Sequence, residues 1–198
     1  MITLRPSTEE EMVLAFVRGE VESTNEGEKC RRWLWDRGHD RATVIDNGMP
    51  TDLDQNRIRA ELLKTFRGYP DTLLFTGYPR DVKWRRVQAD LGELANFRYA
   101  NVPALTEISG GTRRVSGGAK NVESGTALEE FDERVKGIVV RIRNNERLPD
   151  LIAVEADDKQ IILVDGHGRA TAYVLMGMPD VIEVLIGSSP HMGGWYWI

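Results

Sequence analysis

Residues 164–173 read Val-Asp-Gly-His-Gly-Arg-Ala-Thr-Ala-Tyr, and this stretch is the most informative about the fold. An apolar run from Ile161 to Val164 leads into it and predicts a buried strand. Two glycines then predict a turn, and residues Arg169 to Met176 predict a helix. A strand that passes through a glycine turn directly into a helix is typical of an α/β fold.

The flanking segments extend the same pattern. Before this stretch, the sequence predicts a strand over Leu151 to Val154 and a tight turn over residues 156–159. After it, a glycine turn and a strand over Val181 to Ile186 are expected. Further upstream, Thr126 and Glu129 form a capping-box pattern that opens a long amphipathic helix. We therefore expect an α/β unit over residues 128–187, with its three strands in one sheet.

The first hundred residues show mainly helical patterns. Three helices are expected there: one behind a capping-box pattern at Ser7 and Glu10, one over about 26–37, and one capped by Asp54 that ends at Gly68. The following segments predict a loop or hairpin over 39–52, strands over 72–76 and 81–88, and a short helix over 91–97. The expected organisation is a mostly helical elaboration over 1–100 and an α/β (α+β) core with a small mixed sheet over 101–198.

Composition narrows the class of protein. The chain has 198 residues, 41% of them hydrophobic, and a net charge of −5. This balance argues against tight nonspecific binding to a nucleic-acid backbone. No apolar run approaches the roughly 18–20 residues that span a bilayer, and no signal-peptide pattern is present, so a cytoplasmic protein without a membrane partner is expected. The single cysteine, Cys30, excludes a disulfide framework and a thiolate zinc site. The apolar tail, residues 193–198, is expected to pack back or to join a partner, which leaves a homodimer open.

The turn after Val164 carries the residue types that bind phosphate. A helix N-terminus presents unpaired N–H groups and a partial positive charge, and Gly166 and Gly168 would let these amides approach a ligand. Arg169 could add a bidentate contact and Thr171 a hydroxyl. Asp165 could act as a general base or hold a divalent cation such as Mg²⁺. The alternative is purely structural, with Asp165 as a helix cap and the two glycines as an ordinary turn.

The order strand, turn, strand, Asp165-Gly166-His167-Gly168-Arg169, alanine-rich helix and final strand resembles the core of the ParB/sulfiredoxin-like superfamily. The resemblance covers about residues 105–187, is weaker over 105–125 and does not extend to 1–100. It implies a ParB/sulfiredoxin-like fold in which this turn and the start of the helix bind nucleotide phosphates.

Departures within the motif separate the branches of that superfamily. Sulfiredoxins carry a cysteine where His167 stands here, so sulfinic-acid repair is not expected. Partition ParB proteins bind CTP and continue into a helix-turn-helix domain, which this sequence does not show after its last predicted strand. The archaeal free-serine kinases are similar in carrying Asp-Gly-His-x-Arg. That likeness implies phosphotransfer from an adenine nucleotide by Asp165 and His167, with Gly166 and Arg169 in the phosphate cradle.

A second glycine-rich segment, residues 109–118, carries Thr112 and Arg113, which could close over phosphates. The alternative is a solvated loop with surface arginines. Glu107 is a weaker candidate for a second carboxylate near the site.

The expected function is that of a nucleoside-triphosphate-dependent phosphotransferase or hydrolase. Its ligands would be ATP or another nucleoside triphosphate, Mg²⁺ and a small hydroxylated substrate. The alternative is a nucleic-acid-binding or nuclease module of the ParB type that uses Arg80 to Arg86 together with Arg113 and Arg114.

Overall fold

A mixed six-stranded sheet forms the centre of the computed structural model, which describes all residues from Met1 to Ile198. The strands are β1 (Ile2–Pro6), β2 (Lys83–Asp90), β3 (Arg98–Tyr99), β4 (Leu151–Glu155), β5 (Ile161–Asp165) and β6 (Val181–Ser188). Their spatial order is β1-β2-β6-β4-β5-β3. The β6–β4 and β5–β3 pairs are parallel and the other three are antiparallel.

Eight α-helices cover the two faces of the sheet. They are α1 (Glu9–Glu22), α2 (Gly27–Asp36), α3 (Leu53–Arg67), α4 (Leu91–Asn96), α5 (Pro103–Ile108), α6 (Val115–Glu123), α7 (Glu129–Arg143) and α8 (His167–Met176). No helix combines the length and the apolar character that crossing a bilayer requires.

Alternation along the strands explains why both faces are covered. Even-numbered residues of β4 and β5 pack against α1, α2 and α3, and odd-numbered residues pack against the helices from α4 to α8. The first group is Ile152, Val154, Ile162 and Val164, and the second is Leu151, Ala153, Ile161 and Leu163. Strands that are buried on both faces need near-continuous apolar runs, which is the pattern of these two segments.

The predicted α/β architecture is confirmed, and the strands expected near 151–154, 161–164 and 181–186 lie in one sheet. The C-terminal tail packs against the rest of the chain, which is one of the two arrangements expected for it. Trp195 is buried, and its Nε1 donates to the carbonyl of Leu74 at 2.7 Å. The sheet also draws β1, β2 and β3 from the first hundred residues. The predicted boundary near residue 100 stays a prediction, but the sheet is continuous across it.

Several local expectations for the helix starts are wrong. Thr8, and not Ser7, caps α1, because its hydroxyl accepts from the backbone N–H of Glu11. Asp52, two residues before the expected Asp54, caps α3. Helix α7 begins after Leu128 without any side-chain cap, so Thr126 and Glu129 do not form a capping box.

Three loop and strand expectations also need correction. Residues 72–76 do not form a strand, because Leu73 adopts a left-handed φ of 51° and residues 73–75 form a 3₁₀ turn. Residues 116–118 lie inside α6, whereas the glycine-rich sequence predicted an irregular loop. Strand β1 was not predicted, although Ile2-Thr3-Leu4-Arg5 alternates apolar and polar residues; it lies at the edge of the sheet with all five residues exposed.

Candidate functional site

The turn after β5 leaves the start of α8 uncapped. Gly166 occupies the N-cap position with a φ of 91°, and no side chain bonds to the first helical amides. The first bond of the helix joins the N–H of Ala170 to the carbonyl of Gly166 at 2.8 Å. The amides of His167, Gly168 and Arg169 therefore have no partner within the helix, and the positive end of the helix dipole lies at this turn.

The two glycines of the motif have structural reasons of their own, and Gly168, which was predicted to lie in the turn, is the second residue of α8. Gly166 needs its left-handed φ, and a Cβ there would lie 2.5 Å from Cδ2 of Leu151. A Cβ at Gly168 would lie 3.1 Å from Cδ1 of Ile138 and 3.6 Å from Cδ of Arg134, both on α7. Gly168 therefore permits the close packing of α7 on α8, a role that the sequence did not predict.

Asp165 and Arg169 form an ion pair across the turn. Nη2 of Arg169 lies 2.6 Å from Oδ2 of Asp165 and also donates to the carbonyl of Asp150 at 3.3 Å. Both side chains are mostly buried, with 13% of Arg169 and 20% of Asp165 exposed. Nε of Arg169 is buried and has no partner, so this guanidinium retains an unsatisfied donor at the turn.

His167 is held as a neutral imidazole. Its Nε2 lies 3.1 Å from the carbonyl oxygen of Leu163, and since a carbonyl only accepts, Nε2 carries the proton. Nδ1 is then the free acceptor of the ring. Burial lowers the pKa of His167 to about 4, with the charges of Arg169 and Arg134 acting in the same direction. At pH 7 the side chain can accept a hydrogen bond but carries no charge.

A cavity of about 630 Å³ opens in front of this turn. Its walls are α1 and the start of the following loop, α7, the end of α3 and residues 164–169. Helix α1 approaches very closely, because a Cβ at Gly19 would lie 2.7 Å from Oδ2 of Asp165. The volume falls in the range of small-molecule sites, and most of the lining residues are polar or charged.

Glu20 and Arg67 form a second ion pair in the cavity that the sequence did not point to. The guanidinium of Arg67 binds both carboxylate oxygens of Glu20, at 2.9 and 2.7 Å. Burial raises the pKa of Glu20, although the bonds from Arg67 oppose this shift. One signal was available: Glu20 follows Phe16 and Val17 by four and three residues, so a charged residue occupies the apolar face of α1.

Two more arginines, Arg134 and Arg141 of α7, complete the basic lining. Arg134 pairs with Glu130 at 2.9 Å, and Arg141 pairs with Glu22 of α1 at 2.8 Å. Every arginine of the cavity is thus paired with a carboxylate within the chain. An anionic ligand would bind here by competing with these carboxylates.

Three residues predicted to contact phosphate lie outside the cavity, which corrects that prediction. Thr171 is fully buried, and its hydroxyl donates to the carbonyl of His167 and lies 2.6 Å from the hydroxyl of Tyr99. Thr112 donates to the carbonyl of Ser109. Arg113 donates to the carbonyls of Tyr99 and Ile198, so it fastens the C-terminal residues. Glu107 is exposed and also lies outside the cavity lining.

The residues present do not build a magnesium site of their own. No three carboxylate, histidine or cysteine side chains come together as a ligand set. Asp165, the predicted ligand, already holds the guanidinium of Arg169. A divalent cation could therefore be held here only with a phosphate ligand that supplies most of its oxygens.

The arginines of residues 80–86 that were proposed for nucleic-acid contact are paired with carboxylates within the chain, whereas Arg114 is exposed and donates to Oδ1 of Asn96. Arg85 binds Glu155 at 2.6 Å, and Arg86 binds Asp150 at 2.9 Å and Glu183 at 3.3 Å. Arg80 pairs with Asp71. These contacts neutralise most of the basic segment, which weakens the case for a nucleic-acid surface.

Comparisons of the chain with models of protein families, with curated proteins and with solved structures give no match. The ParB/sulfiredoxin-like assignment of residues 105–187 therefore stays a prediction. Function has to be inferred from the cavity and from the motif at its floor.

Proposed function

We propose that this protein is a nucleoside-triphosphate-dependent phosphotransferase or hydrolase whose reaction takes place in the cavity at the start of α8. The observation that carries the proposal is the uncapped amino end of α8, which opens beside Arg169 onto a cavity of about 630 Å³. Phosphate is the ligand best matched to unpaired helix amides next to a guanidinium. The resemblance of Asp165-Gly166-His167-Gly168-Arg169 to the free-serine kinase motif supports the same chemistry.

Phosphate binding would begin at the turn. Oxygens of the nucleotide accept from the amides of residues 167–169, and Arg169 turns from Asp165 towards the phosphate. The buried Nε of Arg169, which has no partner in the chain, gains one in this arrangement. The carboxylate of Asp165 is released at the same time.

Transfer would follow between the terminal phosphate and a hydroxyl acceptor, either a small metabolite or water. The acceptor oxygen forms a bond to the terminal phosphorus, and the bond from that phosphorus to the bridging oxygen breaks, which releases the nucleoside diphosphate. The released carboxylate of Asp165 takes the acceptor proton. Nδ1 of the neutral His167 accepts from a second donor of the acceptor, which is the other O–H of water or a further hydroxyl of the metabolite, and this bond orients the acceptor. A cation brought in with the nucleotide would offset charge on the phosphates.

A first experiment tests ligand binding by the wild-type chain. Thermal unfolding is followed with ATP, CTP and GTP, each with and without Mg²⁺. A nucleotide at about 100 times its dissociation constant adds roughly 2.7 kcal/mol of stability. For a chain of this size that corresponds to a rise in midpoint of about 5–10 °C. No rise with any nucleotide would contradict the proposal.

A second experiment separates turnover from binding. Asp165→Asn preserves the size of the side chain but removes its charge, so nucleoside diphosphate release across a panel of hydroxylated metabolites should fall about 100-fold or more while the nucleotide still binds. Unchanged turnover in Asp165→Asn would exclude this carboxylate as the base. A wild-type chain that turns over nothing yet retains labelled DNA or RNA on a filter would favour the nucleic-acid alternative.

A further inference from the structure

The side chain of Arg134, on α7, packs against the first turn of α8. Its aliphatic stem packs on Gly168, where a Cβ would lie 3.6 Å from Cδ and 3.9 Å from Cγ of Arg134. The side chain comes from α7 and lines the same cavity as Arg169. Arg134 and Arg169 therefore both line the cavity beside the first turn of α8.

The bonding of Arg134 leaves most of its donors unused. Nη2 donates to Oε1 of Glu130 at 2.9 Å, while Nε is buried and has no partner. Glu130 is the exposed partner, with 74% of its side chain accessible, and it also accepts from Nδ2 of Asn25 at 2.9 Å. A guanidinium has five N–H donors, so the Nη donors that Glu130 does not use can serve a ligand.

We propose that Arg134 binds the outer phosphate of the ligand, so that the site selects nucleoside di- and triphosphates over monophosphates. This inference rests on the function proposed above. One phosphate is satisfied by the α8 amides and Arg169, whereas a second guanidinium on the facing helix suits a chain of linked phosphates. Glu130 then acts as a competitor that neutralises Arg134 until the ligand displaces it.

The electrostatics of His167 agree with this geometry. The positive charges of Arg134 and Arg169 both help to lower the pKa of that imidazole. Both guanidiniums are thus close enough to act on a group at the first residue of α8. A phosphate bound there would lie in the field of both.

The test is titration calorimetry of the full chain with ATP, ADP and AMP, each with Mg²⁺. Arg134→Ala should weaken binding of ATP and ADP about tenfold or more, the scale of a lost charge-assisted hydrogen bond, and should change AMP less than about twofold. Glu130→Gln should strengthen ATP binding about two- to fivefold, because it removes the competing charge but keeps an oxygen for Asn25. Lys136→Ala is the matched control, since this exposed cation on the same helix pairs with Asp132 and lies outside the cavity lining.

The outcomes separate this inference from the proposed function. If the wild-type chain binds none of the three nucleotides, the proposed function fails and this inference fails with it. If the wild-type chain binds ATP but Arg134→Ala binds it equally well, or loses AMP to the same extent, only the role of Arg134 is overturned. Should Arg134→Ala fail to fold, Glu130→Gln decides, because unchanged or weaker ATP binding in that variant contradicts competition for Arg134.

Discussion

Gly19→Ala tests whether the first helix shapes the site. A methyl group at Gly19 would lie 2.7 Å from Oδ2 of Asp165, and 3.2 and 3.3 Å from Nη2 and Nη1 of Arg169. A carbon so close to an oxygen forces a shift of either the ion pair or α1. The substitution therefore tests how firmly the Asp165–Arg169 pair is held in place against α1.

Two opposing effects determine the size of the change. Alanine is favoured over glycine in a helix interior by about 1 kcal/mol. Overpacking a well-packed site costs about 1–3 kcal/mol. Gly137 of α7 provides the matched control, because a Cβ there meets nothing within 4 Å and the helix effect acts alone. The difference in unfolding free energy between the two variants should then be about 1–3 kcal/mol, with Gly19→Ala the less stable.

Urea unfolding of the wild type, Gly19→Ala and Gly137→Ala measures this difference, with equal m-values as the check that the same transition is compared. Gly137→Ala is expected to be more stable than the wild type by about 0.5–1 kcal/mol. If Gly19→Ala gains as much stability as Gly137→Ala, then α1 does not contact the Asp165–Arg169 pair as closely as the structure indicates.

The remaining predictions concern Arg169, His167 and Cys30. Arg169→Ala should weaken ATP binding about 10- to 100-fold in calorimetry without unfolding the chain, and unchanged binding would leave the turn a purely structural feature. Burial depresses the folded-state pKa of His167 to about 4 from 6.5, so its neutral form contributes stability above pH 6.5 that is lost as the pH falls towards 4. Between pH 7 and 4.5 the loss in unfolding free energy is on the order of 2–3 kcal/mol. Urea unfolding should show a smaller loss for His167→Gln than for the wild type. An equal loss in both would mean that other groups cause the pH dependence. Cys30 is buried, and burial raises the pKa of its thiol to about 12, so a disulfide reagent should modify it only after unfolding; rapid modification of the native chain would contradict its burial.

Residues that are close together in the sequence specify the unit of β5, the glycine turn and α8. The apolar run of β5, the glycine turn and the helix after it follow from consecutive residues, and the structure has all three, although the helix begins at His167 and not at Arg169. Backbone geometry explains this success, since a left-handed glycine between a strand and a helix is a local requirement. The amphipathic helices α1, α3 and α7 were predictable because their apolar residues recur at helical spacing, which is also a local pattern. Their capping residues were not predicted correctly.

The side chains that surround that turn depend on how distant elements pack together. Gly19, Glu20 and Arg67 reach it from α1 and α3, roughly a hundred residues or more away along the chain, and Arg134 reaches it from α7. Thr112 and Arg113, which the sequence placed near phosphate, bond instead to backbone carbonyls outside the cavity. The local pattern of each helix specifies an apolar face but not the element that covers it. The charged residues beside that face meet only because the helices pack on a common sheet, and this depends on the fit of the whole core.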